Sequence, residues 1–136
     1  MKIAVSSSGN NIESEVDIRF GRCPYFIIVE VEDKAIKSFE ALENRATAQV
    51  GGAGISAAEI VANKNVNAVI SGNVGPKAFS VFQQFNIEVY KGVGTVKKAV
   101  EDFLEGKLEK IDLAGPMNAG KTDGMGMGKG MGRRDV

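Results

Sequence analysis

The chain has no histidine and a single cysteine in 136 residues, and its 17 basic side chains are matched by 17 acidic ones. Each shortage closes a class of chemistry. Without histidine there is no Ser-His-Asp triad, no Cys-His pair and no imidazole metal site within the chain. The lone Cys23 cannot make an internal disulfide, which fits a reducing compartment, and it cannot build a structural zinc site. Balanced charge supplies no overall field to draw the protein to nucleic acid or to an anionic membrane. No apolar run approaches the length that spans a bilayer, and "MKIAVSSSGN" is too short for a signal-peptide core, so a cytoplasmic location is expected. What is left is carboxylates, amides, hydroxyls, lysines, arginines, one thiol and backbone N–H groups.

What is present describes one ordinary domain: 43% hydrophobic and 25% charged residues in a chain long enough to bury a core. The pattern predicts a buried strand over 2–6, then a long polar loop of the kind that is usually functional or mobile. A strand over 25–32, a turn at Asp33-Lys34 and a hairpin partner over 35–44 follow, with a linker over 45–50. Thereafter glycine loop, helix and strand alternate: helices over 55–64, 77–85 and 96–106, strands over 66–71 and 87–91. In the last helix Val96, Ala99, Val100, Phe103 and Leu104 form one apolar face, with Thr95 as N-cap and Gly106 as the stop. Ala78, Phe79, Phe82 and Phe85 form the expected buried stripe of the middle helix. A hairpin followed by alternation implies a mixed sheet in a single α/β domain over 1–112. Residues 113–136, dominated by glycine and holding four of the five methionines, read as a disordered tail. Its thioethers suit Cu(I) or the shielding of a sulfide cluster, or else have no specific chemistry.

The glycine loops "GGAG" (51–54), "GNVGP" (72–76) and "GVGT" (92–95) each open a helix. In a parallel α/β sheet such loops gather at the carboxyl edge of the strands, and helix starts there offer free N–H groups to anions. Lys77, Lys97 and Lys98 stand in first helical turns, where the macrodipole opposes them, and a bound anion would offset that cost. None of the loops has the spacing of a phosphate-binding P-loop or of a dinucleotide fingerprint. Ahead of them, "VDIRFGRCPYF" brackets a Phe-Gly pair with Arg19 and Arg22 just before Cys23. Either those cations hold the thiol as a thiolate, fit to ligate metal, or Cys23 is a small inert core residue.

Taken together, "FGRCPYF", "GGAGISAAEIVANK", "GNVGPKAF" and "GTVKKAVEDFLEGKL" resemble the dinitrogenase iron-molybdenum cofactor biosynthesis family over residues 1 to about 110. The resemblance implies a ribonuclease H-like fold, with a mixed five-stranded sheet flanked by helices. It also implies binding rather than catalysis. Members of the family hold iron–sulfur or iron–molybdenum cofactor precursors, and a related branch holds a molybdenum–copper sulfide cluster. Many members carry histidine immediately before the Phe-Gly pair, where this chain has Arg19. A nuclease is not expected, because the central strands "KIAVSSS" and "VNAVIS" lack the carboxylates that two-metal chemistry needs.

The leading expectation is therefore a non-enzymatic carrier of an anionic metal–sulfide cluster, acting with cluster donor or acceptor proteins and without nucleic acid or membrane. Its cofactor-binding residues would be Arg19, Phe20, Gly21, Arg22, Gly51, Gly52, Gly54, Gly72, Asn73 and Gly75, with Cys23 as the metal ligand. The alternative is a regulatory module that binds a nucleotide or other phosphate at the same edge, where Lys77 would matter more than Cys23.

Overall fold

A computed structural model describes residues 1–112 of the chain, together with backbone at 128–129 and 131–134. The tail expected to be disordered lies outside the described side chains. Strand β1 (Lys2–Ser7) leads through the long loop to β2 (Tyr25–Glu32) and β3 (Ala35–Glu43). Asp33 and Lys34 both adopt positive φ, 55° and 63°, the backbone of a two-residue hairpin turn that follows the right-handed strand twist. A single 3-10 turn at Arg45–Ala48 occupies the expected linker. The alternation is then α1 (Ala53–Ala62), β4 (Ala68–Ser71), α2 (Pro76–Gln84), β5 (Glu88–Lys91) and α3 (Val96–Leu104), with a short β6 (Glu109–Lys110).

The sheet order is β3-β2-β1-β4-β5-β6, with β1, β4 and β5 parallel and the others antiparallel to their neighbours. Six strands replace the expected five. After α3 stops, Leu108 packs on the α3 side of the core and Ile111 on the other. The two residues between them are thereby drawn against β5, and Ile111 N–H donates to Val89 O at 2.8 Å.

Alternation along the strands divides the core between two faces. Ala4, Phe26, Ile28, Val69 and Val89 meet α1 and α2; Ile3, Val5, Ile27, Val29 and Ile70 meet α3. The α3 face is the predicted one, with Thr95 Oγ1 accepting from Lys98 N–H at 3.1 Å and Gly106 at φ 74° just past the end. Phe85 is a correction: it is 55% exposed, because α2 ends at Gln84 and Phe85 is its C-cap rather than another turn of the stripe. No helix among the described residues is long and apolar enough to cross a membrane.

Parallel strands β1 and β4 deliver Ser6, Ser7 and Ser71 to one edge, and the loop over 16–22 folds back onto that edge. Contact there is backbone to backbone. A Cβ on Gly72 would stand 2.6 Å from Ile18 Cα, and one on Gly21 would stand 3.0 Å from Gly54 Cα. Gly72→Ala is therefore expected to cost about 1–3 kcal/mol, as overpacking does. Gly51→Ala, with nothing within 4 Å of its added methyl, should stay within about 0.5 kcal/mol. Urea unfolding of the two variants checks the contrast, and equal losses would contradict it.

Candidate functional site

At the carboxyl edge of β1 and β4 lies a cleft of about 570 Å³. The loop Ile18–Gly21 forms one wall, the first turn of α1 (Gly52–Ile55) another, and the β4–α2 turn with the start of α2 (Asn73, Gly75–Ala78) the third.

The 18–21 wall is held from below by a buried polar knot. Ser6 Oγ donates to the Asp17 carbonyl at 2.7 Å and lies 2.8 Å from Ser71 Oγ. Asp17 N–H donates to Ser6 O, Gly72 N–H to Asp17 O, and Phe20 N–H to Asn73 O. The Asp17 carboxylate accepts from Arg19 N–H at 2.8 Å, and it accepts from Arg19 Nε and Nη2, each at 3.3 Å. These hydrogen bonds and the negative charge of Asp17 raise the Arg19 pKa further above its ordinary value. Phe20 turns inward and packs on Phe26 and Phe82, with ring centroids 5.0 and 5.2 Å away.

The helix starts differ in a way that sequence did not show. The first three N–H groups of α3 are all taken: Val96 donates to Ser14 O, Lys97 to Ile12 O and Lys98 to the Thr95 side chain. Its lysines are correspondingly no sign of an anion, and Lys98 instead pairs with Asp102 at 3.2 Å. By contrast α1 and α2 begin at Gly52 and Gly75, which have no side chain to cap them. The N–H groups of Ala53, Gly54, Ile55, Lys77 and Ala78 have no acceptor among the described residues, and all five residues line the cleft. Gly52 holds φ 74°, a left-handed turn that brings the chain into α1 two residues earlier than the apolar pattern indicated. Among the described residues Lys77 has no ion-pair partner and no carboxylate lines the cleft. The lining is thus apolar or donor-bearing. Such a cleft accepts an anion.

Of the residues singled out from sequence, Arg19, Phe20, Gly21, Gly52, Gly54, Asn73 and Gly75 line this cleft. Gly72 lies beneath it, packed on Ile18, and Gly51 stands just outside α1 in open space. Arg22 points elsewhere: its Nη1 donates to the carbonyls of Thr47 and Gln49, at 3.2 and 3.0 Å, strapping the segment before α1 to the loop. Ile18, Ile55 and Pro76 were missed, since apolar residues in loops carry no chemical signal.

Cys23 departs most from expectation. Its thiol is fully buried, donates to Phe20 O at 3.2 Å, and belongs to the cluster beneath α1 and α2 rather than to the cleft. Burial pushes its pKa up to about 12 instead of down, and the negative charge of Asp17 adds to the rise, while Arg19 is engaged with Asp17 and Arg22 with backbone carbonyls. A thiolate ligand poised by the two arginines is not what the structure contains. Among the described residues no group of three or more His, Cys, Asp or Glu side chains stands together to hold a metal ion.

A family model described as dinitrogenase iron-molybdenum cofactor matches residues 1–106. The chain belongs to that family. An uncharacterized protein of Methanocaldococcus jannaschii, MJ0580, is 45% identical over 113 residues, covering 82% of this chain and 92% of the relative. A second protein of that organism, MJ0327, is 31% identical over 82% of this chain and 94% of its own length. Among solved structures, the apo form of the orange protein from Desulfovibrio gigas superposes with a TM-score of 0.75 at 34% identity, covering 81% of this chain and 92% of that one.

The Cys23 geometry has a pH consequence. A thiol pKa raised in the folded state favours folding while both states are protonated, and the contribution is lost as pH climbs from about 9.0, the unfolded value, toward about 12. Urea midpoints should fall over that window, and the fall should be smaller in Cys23→Ala. An identical alkaline profile in the two proteins would contradict the buried, protonated thiol.

Proposed function

We propose that the protein binds and carries an anionic metal–sulfide cluster, of iron–sulfur, iron–molybdenum or molybdenum–copper type, or the precursor of one. The carrying observation is the convergence of two uncapped helix starts on one carboxylate-free cleft, between Arg19 and Lys77. Family membership and the likeness to the orange protein support the same reading. The volume suits a small cofactor. Neither thiolate nor imidazole lines the cleft, so the metals keep their own sulfides, and the protein contributes hydrogen bonds and charge around them. Each helix start favours an anion by about 0.3–1 kcal/mol, and more where water is partly excluded. Phe20 forms an apolar floor, while Gly52, Gly54, Gly75 and Asn73 let the cargo approach backbone. No acid–base pair lines the cleft, which suits carriage rather than turnover. Cluster donor and acceptor proteins in the cytoplasm are the matching partners.

A phosphate-bearing ligand is the second reading, because the same N–H groups and Lys77 would serve it. Anaerobic titration of the metal-free protein separates the two. The ligands are tetrathiomolybdate with and without Cu(I), iron with sulfide, and separately inorganic phosphate and ATP. Retained charge-transfer colour after gel filtration is expected with a sulfide species. Arg19→Ala and Lys77→Ala should each weaken retention about tenfold, the worth of a hydrogen bond to a charged group, while Cys23→Ala leaves it intact. Colour that required Cys23 would overturn this account of the site. Thermal stabilisation by phosphate ligands alone, lost in Lys77→Ala, would select the second reading.

A further inference from the structure

The side chain of Asp17 is spent on a single partner. Its main chain already seats the loop: Asp17 N–H donates to Ser6 O at 2.9 Å, and its carbonyl accepts from Ser6 Oγ, Ser71 Oγ and Gly72 N–H. The carboxylate takes no part in that seat. It is 8% exposed, and among the described residues it accepts only from Arg19, from the N–H at 2.8 Å and from Nε and Nη2 at 3.3 Å each. The Arg19 side chain, by contrast, is 63% exposed at the cleft wall. For stability this is a poor arrangement. Burying a carboxylate costs solvation, and a pair whose cation stays in water returns little.

For binding, the same arrangement is useful. A guanidinium offers five N–H donors in a rigid fork. Asp17 takes one from Nε and one from Nη2, and among the described residues the donors of Nη1 have no acceptor. An arginine free in water must give up rotamer freedom when an anion arrives, whereas one already held gives up little. The carboxylate works against the anion through its charge, so only its hold on Arg19 recommends it there. We propose, resting on the anionic cargo assigned to the cleft, that Asp17 is a positioning residue: its buried carboxylate fixes the Arg19 guanidinium so that the unpaired edge of the fork meets the anion.

Asp17→Asn keeps the shape and an oxygen for the Arg19 N–H while removing the charge, so charge and position predict opposite signs. Lost repulsion would tighten binding of tetrathiomolybdate, and lost positioning weakens it. Anaerobic equilibrium dialysis of the full chain should show Asp17→Asn binding about threefold more weakly, a coupling of the size found between residues in contact. In an Arg19→Ala background the sign should reverse, because only the charge is then left to remove. Arg19→Lys, which keeps the charge without the fork, should weaken binding as Arg19→Ala does. In the empty protein the Arg19 Nε–H should give a slowly exchanging NMR signal that Asp17→Asn abolishes. Equal or tighter binding by Asp17→Asn, parental binding by Arg19→Lys, or an Arg19 Nε–H equally mobile in both proteins would each overturn the positioning role and leave the cargo of the cleft standing. No binding of tetrathiomolybdate by the parent would overturn the reading of the cleft, and the positioning role with it.

Discussion

The structure turns on the hydrogen-bonded knot that joins Ser6, Ser71 and the backbone of Asp17 at the carboxyl ends of β1 and β4. Two parallel strands end there side by side, and their hydroxyls, together with the Gly72 N–H, take the carbonyl of Asp17 in the loop. A buried carbonyl left unpaired would cost about 1–3 kcal/mol, so the loop has one well-defined seat. From that seat the rest follows. Ile18 lies against Gly72, Gly21 against Gly54, Phe20 drops into the core, and Arg19 is turned back onto Asp17 at the cleft wall.

The same edge decides what kind of ligand is admitted. Serines occupy strand ends where carboxylates would have gathered divalent metal, and they spend their hydrogen bonds on the loop. The charge left at the cleft comes from Arg19, Lys77 and the partial charge of two helix starts. Arg19 is half answered by Asp17, which fixes its position while leaving Nη1 outside the pair. A site of donors without strong ligands favours an assembled anion over a bare ion. That is suited to taking up and releasing a cargo intact.

Much of this was legible in the chain. Glycine loops before helices, the hairpin turn and the apolar face of α3 follow from backbone preferences that act locally, and they came out as expected. So did the grouping of the Phe20-Gly21 turn with the loops at 52–54 and 73–75, because alternation of helix and strand forces those loops to one edge. What was not legible depends on partners distant in sequence. Arg19 and Arg22 look alike, yet one meets Asp17 two residues away and the other the carbonyls of Thr47 and Gln49. Cys23 sits beside both cations in sequence and beside neither in effect, since Pro24 leads straight into a buried strand and takes the thiol under the sheet's helices. Lysines mark the starts of both α2 and α3, and only tertiary structure shows that loop carbonyls have already claimed the first two N–H groups of α3.

The central claim is that unpaired backbone N–H groups at two helix starts receive the anionic cargo. Amide NMR during titration with tetrathiomolybdate tests it most directly. The largest shifts should fall on Ala53, Gly54, Ile55, Lys77 and Ala78, with Val96, Lys97 and Lys98 unmoved. Shifts centred on Cys23 and its neighbours in β2, or on the start of α3, with the α1 and α2 amides silent, would contradict it.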